Sequence, residues 1–356
     1  MKLSMTRRGR SGLALTASMI AVAAIALTGC SSSGSGDKAD SGSGDGGGKS
    51  DQTITFIPKQ LNNPYTDVVL GGGEKGAKAA GFKSSQVVGP LDASASSQVS
   101  FINAETQAGT NVIVIAANDP DAVCPSLKEA RDGGAKIVAF DSDTNKDCRD
   151  IFVSQVVAKD VALIQLKLIS EQIGGEGDIA ILSATANATN QNEWIKYMEE
   201  ELKSNPDYSK IKLVTKVYGD DDDTKSFQEA QGLMQAYPNL KGIISPTTVG
   251  IAATARYLST SEYKGKVALT GLGLPNEMRP FVKDGTVTEF ALWDPAQLGY
   301  VAAFAGMALD DGSITGKEGD TFKAGDLGER KVGADGLVIV GPPTVFNKDN
   351  IDDYDF

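Results

Sequence analysis

The sequence contains no histidine. That absence excludes Ser-His-Asp triads, histidine metal sites and imidazole general acid–base chemistry. Positive charge is also in deficit: 34 Lys and Arg stand against 46 Asp and Glu, a formal net charge of −12. No long basic block lies beyond the N-terminal region, so nucleic acid is not an expected partner. Cysteine is scarce, with only three in 356 residues. The apolar run from Leu13 to Leu27 is too short for a comfortable membrane span.

What is present begins at the N-terminus. Lys2, Arg7, Arg8 and Arg10 precede that apolar run, which ends in Leu27-Thr28-Gly29-Cys30. A basic head, a short apolar segment and small residues before a cysteine form a secretory signal with a lipobox. Residues 1–29 are expected to be removed, leaving Cys30 lipidated at the new N-terminus. Arg7-Arg8 lacks the apolar and basic residues that follow a twin-arginine export pair, so general secretion is expected. Residues 30–50 are nearly all Ser, Gly, Asp and Lys and cannot bury enough surface to offset their ordering entropy. Such a leash places the folded body about 25 Å from the membrane. Cys124 and Cys148 then remain as an even pair in an oxidising compartment, which reads as a disulfide.

From Thr53 onward, short β-branched runs alternate with helical patterns. Thr53–Ile57, Val112–Ile115 and Lys136–Phe140 read as buried strands, and the stretches 65–80, 94–108 and 121–132 as helices. A second series follows Ile151-Phe152-Val153, with strands at 178–182, 212–217, 242–244, 267–270 and 288–292. Repeated βα units with continuous apolar strands predict an α/β protein with two Rossmann-like lobes, each built on a parallel sheet. Pro295 to Ala308 reads as a helix returning to the first lobe, and Gly336–Val340 as one more crossing. The expected division is 51–153 plus 295–333 for the N-terminal lobe and 154–294 plus 334–356 for the C-terminal lobe, joined by a multi-strand hinge.

Ligands of open α/β sheets bind beyond the carboxyl ends of the strands. The polar residues at those ends are Lys59, Asn62, Asn63, Asn118, Asp119, Asp141 and Asp143 in the first lobe. The second lobe offers Thr189, Asn190, Gln191, Ser245, Thr247, Thr248, Asn276, Asp294 and Gln297. Tyr65, Trp194 and Trp293 lie among them. Carboxylates and amides give paired hydrogen bonds to adjacent hydroxyls, and rings cover the C–H face of a pyranose, so the mixture fits a sugar. Other readings stand beside this one. Asn118 and Asp119 are equally suited to capping the helix after Pro120, and Trp194 to packing in the core.

Phe56-Ile-Pro-Lys59, Asn62-Asn-Pro-Tyr65, Val123-Cys-Pro-Ser-Leu127 and Phe140-Asp-Ser-Asp-Thr144 resemble the sugar-binding type I periplasmic binding proteins of ABC importers. So do Asn190-Gln-Asn-Glu-Trp194, Ile244-Ser-Pro-Thr-Thr248 and Leu292-Trp-Asp-Pro-Ala-Gln297, in the same order along 53–356. The branch of closest likeness holds the autoinducer-2 receptor and rhamnose-binding components, and paired cysteines recur in it. The resemblance implies ligand contacts from Lys59, Asp141 and Gln191 and from the Pro246 carbonyl. Two positions depart from the autoinducer-2 receptor, Asn190 replacing an aspartate and Thr248 an alanine. Unmatched buried polar groups cost about 1–3 kcal/mol each, which disfavours autoinducer-2, and the Pro246-Thr-Thr-Val-Gly250 run resembles the rhamnose binders, so the resemblance implies rhamnose or a related deoxy-hexose. The full expected ligand set is Lys59, Asn63, Tyr65, Asp119, Asp141, Asn190, Gln191, Pro246, Thr248, Trp293 and Asp294. The expected partners are a small sugar, an ABC permease and, through the lipid, the membrane. The chain is expected to be a monomer, not an enzyme, and to need no cofactor or metal.

Three motifs invite sharper readings. Gly71-x-Gly73-x-x-Gly76 spells a dinucleotide fingerprint but begins about a dozen residues after its strand, so close helix packing is the expected role. Asp141-x-Asp143-x-Asn145 opens like a calcium loop, yet Lys146 replaces the required glycine and Phe152 the terminal glutamate. Asp220–Asp223 is expected to be a solvated turn before a helix. The rival functions are a carbohydrate-active enzyme using Asp141 and Asp294, and a sensor for autoinducer-2 or another sugar; the same fold serves transport and signalling.

Overall fold

A computed structural model describes residues 52–356. The lipobox, Cys30 and the tether lie outside the described residues. The first lobe begins with β1 (Thr53–Ile57), α1 (Pro64–Ala80), β2 (Ser84–Val87), α2 (Ala95–Ala108), β3 (Val112–Ile115), α3 (Cys124–Asp132), β4 (Lys136–Phe140) and β5 (Ile151–Ser154). The second contains α4 (Ala158–Gln172), β6 (Gly177–Ser183), α5 (Thr189–Ser204), β7 (Ile211–Tyr218), α6 (Asp223–Ala236), β8 (Leu240–Ser245), α7 (Thr248–Thr260), β9 (Ala268–Gly271), α8 (Pro275–Lys283) and β10 (Phe290–Leu292). The chain then returns through α9 (Pro295–Asp310), β11 (Thr321–Lys323), β12 (Glu329–Lys331) and β13 (Leu337–Ile339), and ends beyond β14 (Thr344–Phe346).

The first sheet is six-stranded in the order β13-β5-β4-β3-β1-β2, and the second four-stranded in the order β7-β6-β8-β9. Every pairing in both is parallel. Helices on both faces bury the central strands completely: all four residues of β3 and Ile179–Leu182 of β6 have no exposed surface. Such strands must be apolar on both sides, which is why their sequences show no alternation. Antiparallel β10 and β14 extend the second lobe, and Leu272 bridges to Ala291 beside β9.

The chain passes between lobes after β5, after β10 and after β13. The last passage is later than the expected boundary at 333/334. β13 pairs with β5, with Leu337 opposite Phe152 and Val338 opposite Val153, so 334–339 belong to the first lobe. Burying Val338 beside Val153 completes the edge of that sheet, and the chain leaves only where Gly341-Pro342-Pro343 cannot continue a strand.

Of the glycines of α1, Gly72 and Gly76 serve helix packing, whereas Gly73 faces the Phe56 ring of β1 and Gly71 faces open space. A Cβ on Gly72 would lie 1.9 Å from the Ala296 carbonyl oxygen, and one on Gly76 2.7 Å from that of Tyr300, both on α9. Without side chains at these positions the two backbones come into contact, which fixes the returning helix against the first lobe. Cys124 and Cys148 are disulfide-bonded, with Cα atoms 5.4 Å apart. The bridge ties the start of α3 to the segment that follows Asp141 and Asp143.

Candidate ligand-binding site

Between the carboxyl ends of the two sheets lies a cavity of about 650 Å³ including its mouth. Helix starts deliver its polar groups. Asn63 caps α1, its Oδ1 accepting from the Tyr65 and Thr66 amides at 3.0 and 3.2 Å, while Pro64 takes the first helical position. This cap points Tyr65 into the cleft. Asp141 directly follows β4 in the left-handed region, φ +60°. Its Oδ1 accepts from the Tyr65 hydroxyl at 3.0 Å, and its Oδ2 lies 3.4 Å from Lys59 Nζ. Trp293 Nε1 donates to the Tyr65 oxygen at 3.1 Å, and Gln155 Nε2, on the first inter-lobe passage, lies 3.5 Å from Asp141 Oδ1. Burial and the neighbouring Asp141 charge hold the Tyr65 phenol well above its ordinary pKa, so it acts as a neutral donor.

From the second lobe, Gln191 is 5% exposed, and its Oε1 accepts from Ser183 Oγ at 2.6 Å and the Ala184 amide at 2.8 Å. With the carbonyl engaged, the Gln191 NH₂ group is left to the cavity it lines. Asn190 Oδ1 accepts from Lys59 Nζ at 3.3 Å. Pro246 and Thr247, between β8 and α7, and Thr248, the first residue of α7, complete that wall. Trp293 packs edge-on against Tyr65 and Trp194, with centroids 6.1 and 5.9 Å away. Val69, Leu70, Ala116, Phe140, Leu272 and Leu292 make the rest of the lining apolar.

Nine of the eleven expected ligand contacts therefore line one cavity: Lys59, Asn63, Tyr65, Asp141, Asn190, Gln191, Pro246, Thr248 and Trp293. Asp119 and Asp294 stand outside its walls. Asp119 Oδ1 accepts from the Asp121 and Ala122 amides, and its Oδ2 from Asn187 across the cleft at 3.1 Å. Asp294 caps α9 through the Ala296 amide and accepts from Gln297. The carboxylate pair of the hydrolase reading, Asp141 with Asp294, is thus not assembled around one bond. The calcium-like triplet is also divided. Arg149 grips Asp143 at 2.5 and 2.7 Å, while Asn145 Oδ1 accepts from the Asp147 amide.

Sequence reasoning missed Asp221. The acidic run is not wholly solvated: Asp222 caps α6, Asp220 pairs with Lys225 and Asp223 with Arg256, but Asp221 turns inward to the cavity. Its Oδ1 accepts from the Thr247 hydroxyl. Burial raises its pKa, and the Thr247 bond and Lys59 oppose that rise. The position just beyond β7 is the signal that identifies it, since the strand-end rule holds there too. Gln60 was also missed; it lines the cavity and donates to the Asp221 carbonyl at 3.3 Å.

Hydrogen bonds join the lobes around the cleft: Lys59 to Asn190, Gln60 to Asp221, Asn187 to Asp119, and Ser142 with Thr189 at 2.8 Å. The structure is therefore a closed form.

Residues 54–314 match the family model described as a periplasmic binding protein domain. A sugar ABC transporter from Actinomyces odontolyticus is 70% identical, with a TM-score of 0.71 over 86% of this chain and 98% of that one. A solute-binding protein from Clostridium phytofermentas with bound L-rhamnose is 37% identical, with a TM-score of 0.82 over 85% and 98%. LsrB from Clostridium saccharobutylicum in complex with AI-2 is 26% identical, with a TM-score of 0.80 over 85% and 100%. The chain belongs to the periplasmic binding protein family, in its type I fold, alongside the solute-binding proteins of sugar ABC transporters.

Proposed function

We propose that this protein is a lipid-anchored receptor that captures a monosaccharide by hinge closure and hands it to an ABC permease, with rhamnose or a related deoxy-hexose as the favoured ligand. The observation that carries the reading is Asp141. Its side chain is 11% exposed, its carboxylate held by Tyr65 and Lys59 and set at a cavity walled by Trp293 and Trp194. A carboxylate fixed in this way accepts from two neighbouring hydroxyls, while the rings and aliphatic walls receive C–H faces and a methyl group. The amide at Asn190 and the hydroxyl at Thr248 support a deoxy-hexose over autoinducer-2, as does the similarity to the L-rhamnose-bound protein.

Closure follows from the architecture. Lys59, Tyr65 and Asp141 come from one lobe, and Asn190, Gln191 and Thr248 from the other. A ligand that touches both sets binds the closed form better than the open one and shifts the equilibrium by that difference alone. A receptor that must also release to a permease works at a dissociation constant near micromolar, about −8 kcal/mol. The lipobox ending at Cys30 keeps it beside the permease.

Thermal-shift screening against L-rhamnose, other monosaccharides and autoinducer-2 tests the reading. A true ligand at 100-fold excess over its dissociation constant stabilises by about 2.7 kcal/mol. Absence of any shift across the neutral sugars would sink the sugar-receptor assignment.

A further inference from the structure

We propose that Asp221 is a second specificity carboxylate of the cleft, one that restricts its ligands to sugars without negative charge. The inference rests on the sugar-receptor reading and narrows its substrate class. Among the described residues that line the cavity, the charged side chains are Lys59, Asp141 and Asp221, one cation against two carboxylates. Lys59 is already committed to Asp141 at 3.4 Å and to Asn190 at 3.3 Å.

Without Asp221 the second lobe would favour an anion. The first turns of α5 and α7 open on the cavity through Asn190, Gln191 and Thr248. Helix N-termini carry unpaired amides and positive partial charge, the usual attraction for carboxylate or phosphate. Thr247 occupies the cap position of α7 but makes no side-chain bond to its own helix. Its hydroxyl donates to Asp221 Oδ1 instead. The protein thus places its own carboxylate beside the helix end that a ligand anion would seek.

The backbone is shaped for this placement. Asp220 and Asp221 both adopt left-handed conformations, φ +55° and +52°, in residues other than glycine. Strained conformations of this kind persist where the surroundings enforce them and cluster at ligand sites. The bond from Gln60 of the opposite lobe to the Asp221 carbonyl is part of that enforcement when the lobes are closed. The other Asp221 oxygen accepts no hydrogen bond from the described residues, which leaves it available to a sugar hydroxyl or to repel a carboxylate.

The test titrates the full chain, followed by tryptophan fluorescence, with L-rhamnose and with two anionic sugars, L-rhamnonate and D-galacturonate. Their charges lie at opposite ends of the carbon chain. Wild-type protein should bind L-rhamnose and discriminate against both acids. Asp221→Asn should lower the ratio of neutral to anionic affinity roughly 100-fold, because like-charge juxtaposition costs several kcal/mol. Asp221→Glu, which keeps the charge, should keep the discrimination. An unchanged ratio of neutral to anionic affinity in Asp221→Asn overturns the charge filter while leaving the sugar receptor intact. Failure of the wild-type protein to bind any neutral monosaccharide overturns both.

Discussion

Asp141→Asn isolates the charge of the best-positioned ligand acceptor without changing its shape. In the native cleft, the Lys59 ammonium lies 3.4 Å from Asp141 Oδ2. At an effective dielectric near 20, that separation is worth about 5 kcal/mol of gross attraction. The desolvation of both partners offsets much of it. In the variant, Lys59 keeps Asn190 Oδ1 at 3.3 Å, and Tyr65 keeps an acceptor, so the fold should lose only about 1–3 kcal/mol. Binding suffers more directly. Two charge-assisted hydrogen bonds to ligand hydroxyls, at about 1.5–3 kcal/mol each, become at best neutral ones near 1 kcal/mol, and one amide position can no longer accept. With one neutral bond remaining, a net loss of about 2–5 kcal/mol follows, which is roughly 30- to 5,000-fold in dissociation constant. Calorimetric titration with the sugar identified by thermal shift measures it, with circular dichroism melts confirming the fold. An affinity within threefold of wild type in a folded variant would remove Asp141 from the ligand contacts and undo the assignment of the cleft.

Two further substitutions probe separate parts of the argument. Burial, with the nearby Asp223 charge adding to it, raises the Glu277 carboxyl from 4.5 to about 6. Folding therefore favours its protonated form, and stability falls as pH rises through that window by up to about 2 kcal/mol. Glu277→Gln should raise the urea midpoint at pH 7 and have little effect at pH 4.5; equal effects at both would refute the burial argument. Gln155→Glu sets a second carboxylate where the amide now lies 3.5 Å from Asp141 Oδ1. At low pH the two acids share a proton and ligand affinity stays near wild type; as pH rises and that proton leaves, affinity should fall. A flat profile like that of wild type would show that Gln155 does not act on Asp141.

The layered α/β architecture was legible because parallel strands buried on both faces leave unbroken apolar runs, as in Val112–Ile115 and Ile179–Leu182. The cleft was legible for the same topological reason: residues following strand ends converge, whatever their separation in sequence. The rule failed in two informative ways. It selected Asp119 and Asp294, because a carboxylate after a strand serves equally well to hold local backbone amides: Asp294 caps α9, and Asp119 accepts from the amides of the turn that precedes α3. It passed over Asp221 because four consecutive acidic residues read as solvent-exposed, and only the left-handed turn at Asp220 and Asp221 directs one of the four inward. The position of the last passage between lobes was not legible either, since nothing in Leu337–Ile339 states which sheet it joins until its register with β5 is seen.

The cleft and its hinge share side chains, and this bears on how capture is coupled to closure. Trp293 directly follows β10 at one inter-lobe passage and donates to Tyr65; Gln155 sits on another and reaches Asp141. The Gln155 Oε1 atom is buried and accepts no hydrogen bond from the described residues, an arrangement that costs free energy and that opening to water relieves. Closure without a ligand thus bears an unsatisfied acceptor at the hinge and two carboxylates against one cation in the cavity. Each term weighs against the closed form and must be outweighed by contacts that span the cleft. A ligand reaching Asp141 alone cannot supply them, because that carboxylate stays within the first lobe whether the lobes are open or closed. On the proposed function, a solute that also engages Asn190, Gln191, Thr248 or Asp221 adds contacts across the cleft to the direct bonds between the lobes, and selectivity would then reside in the second lobe.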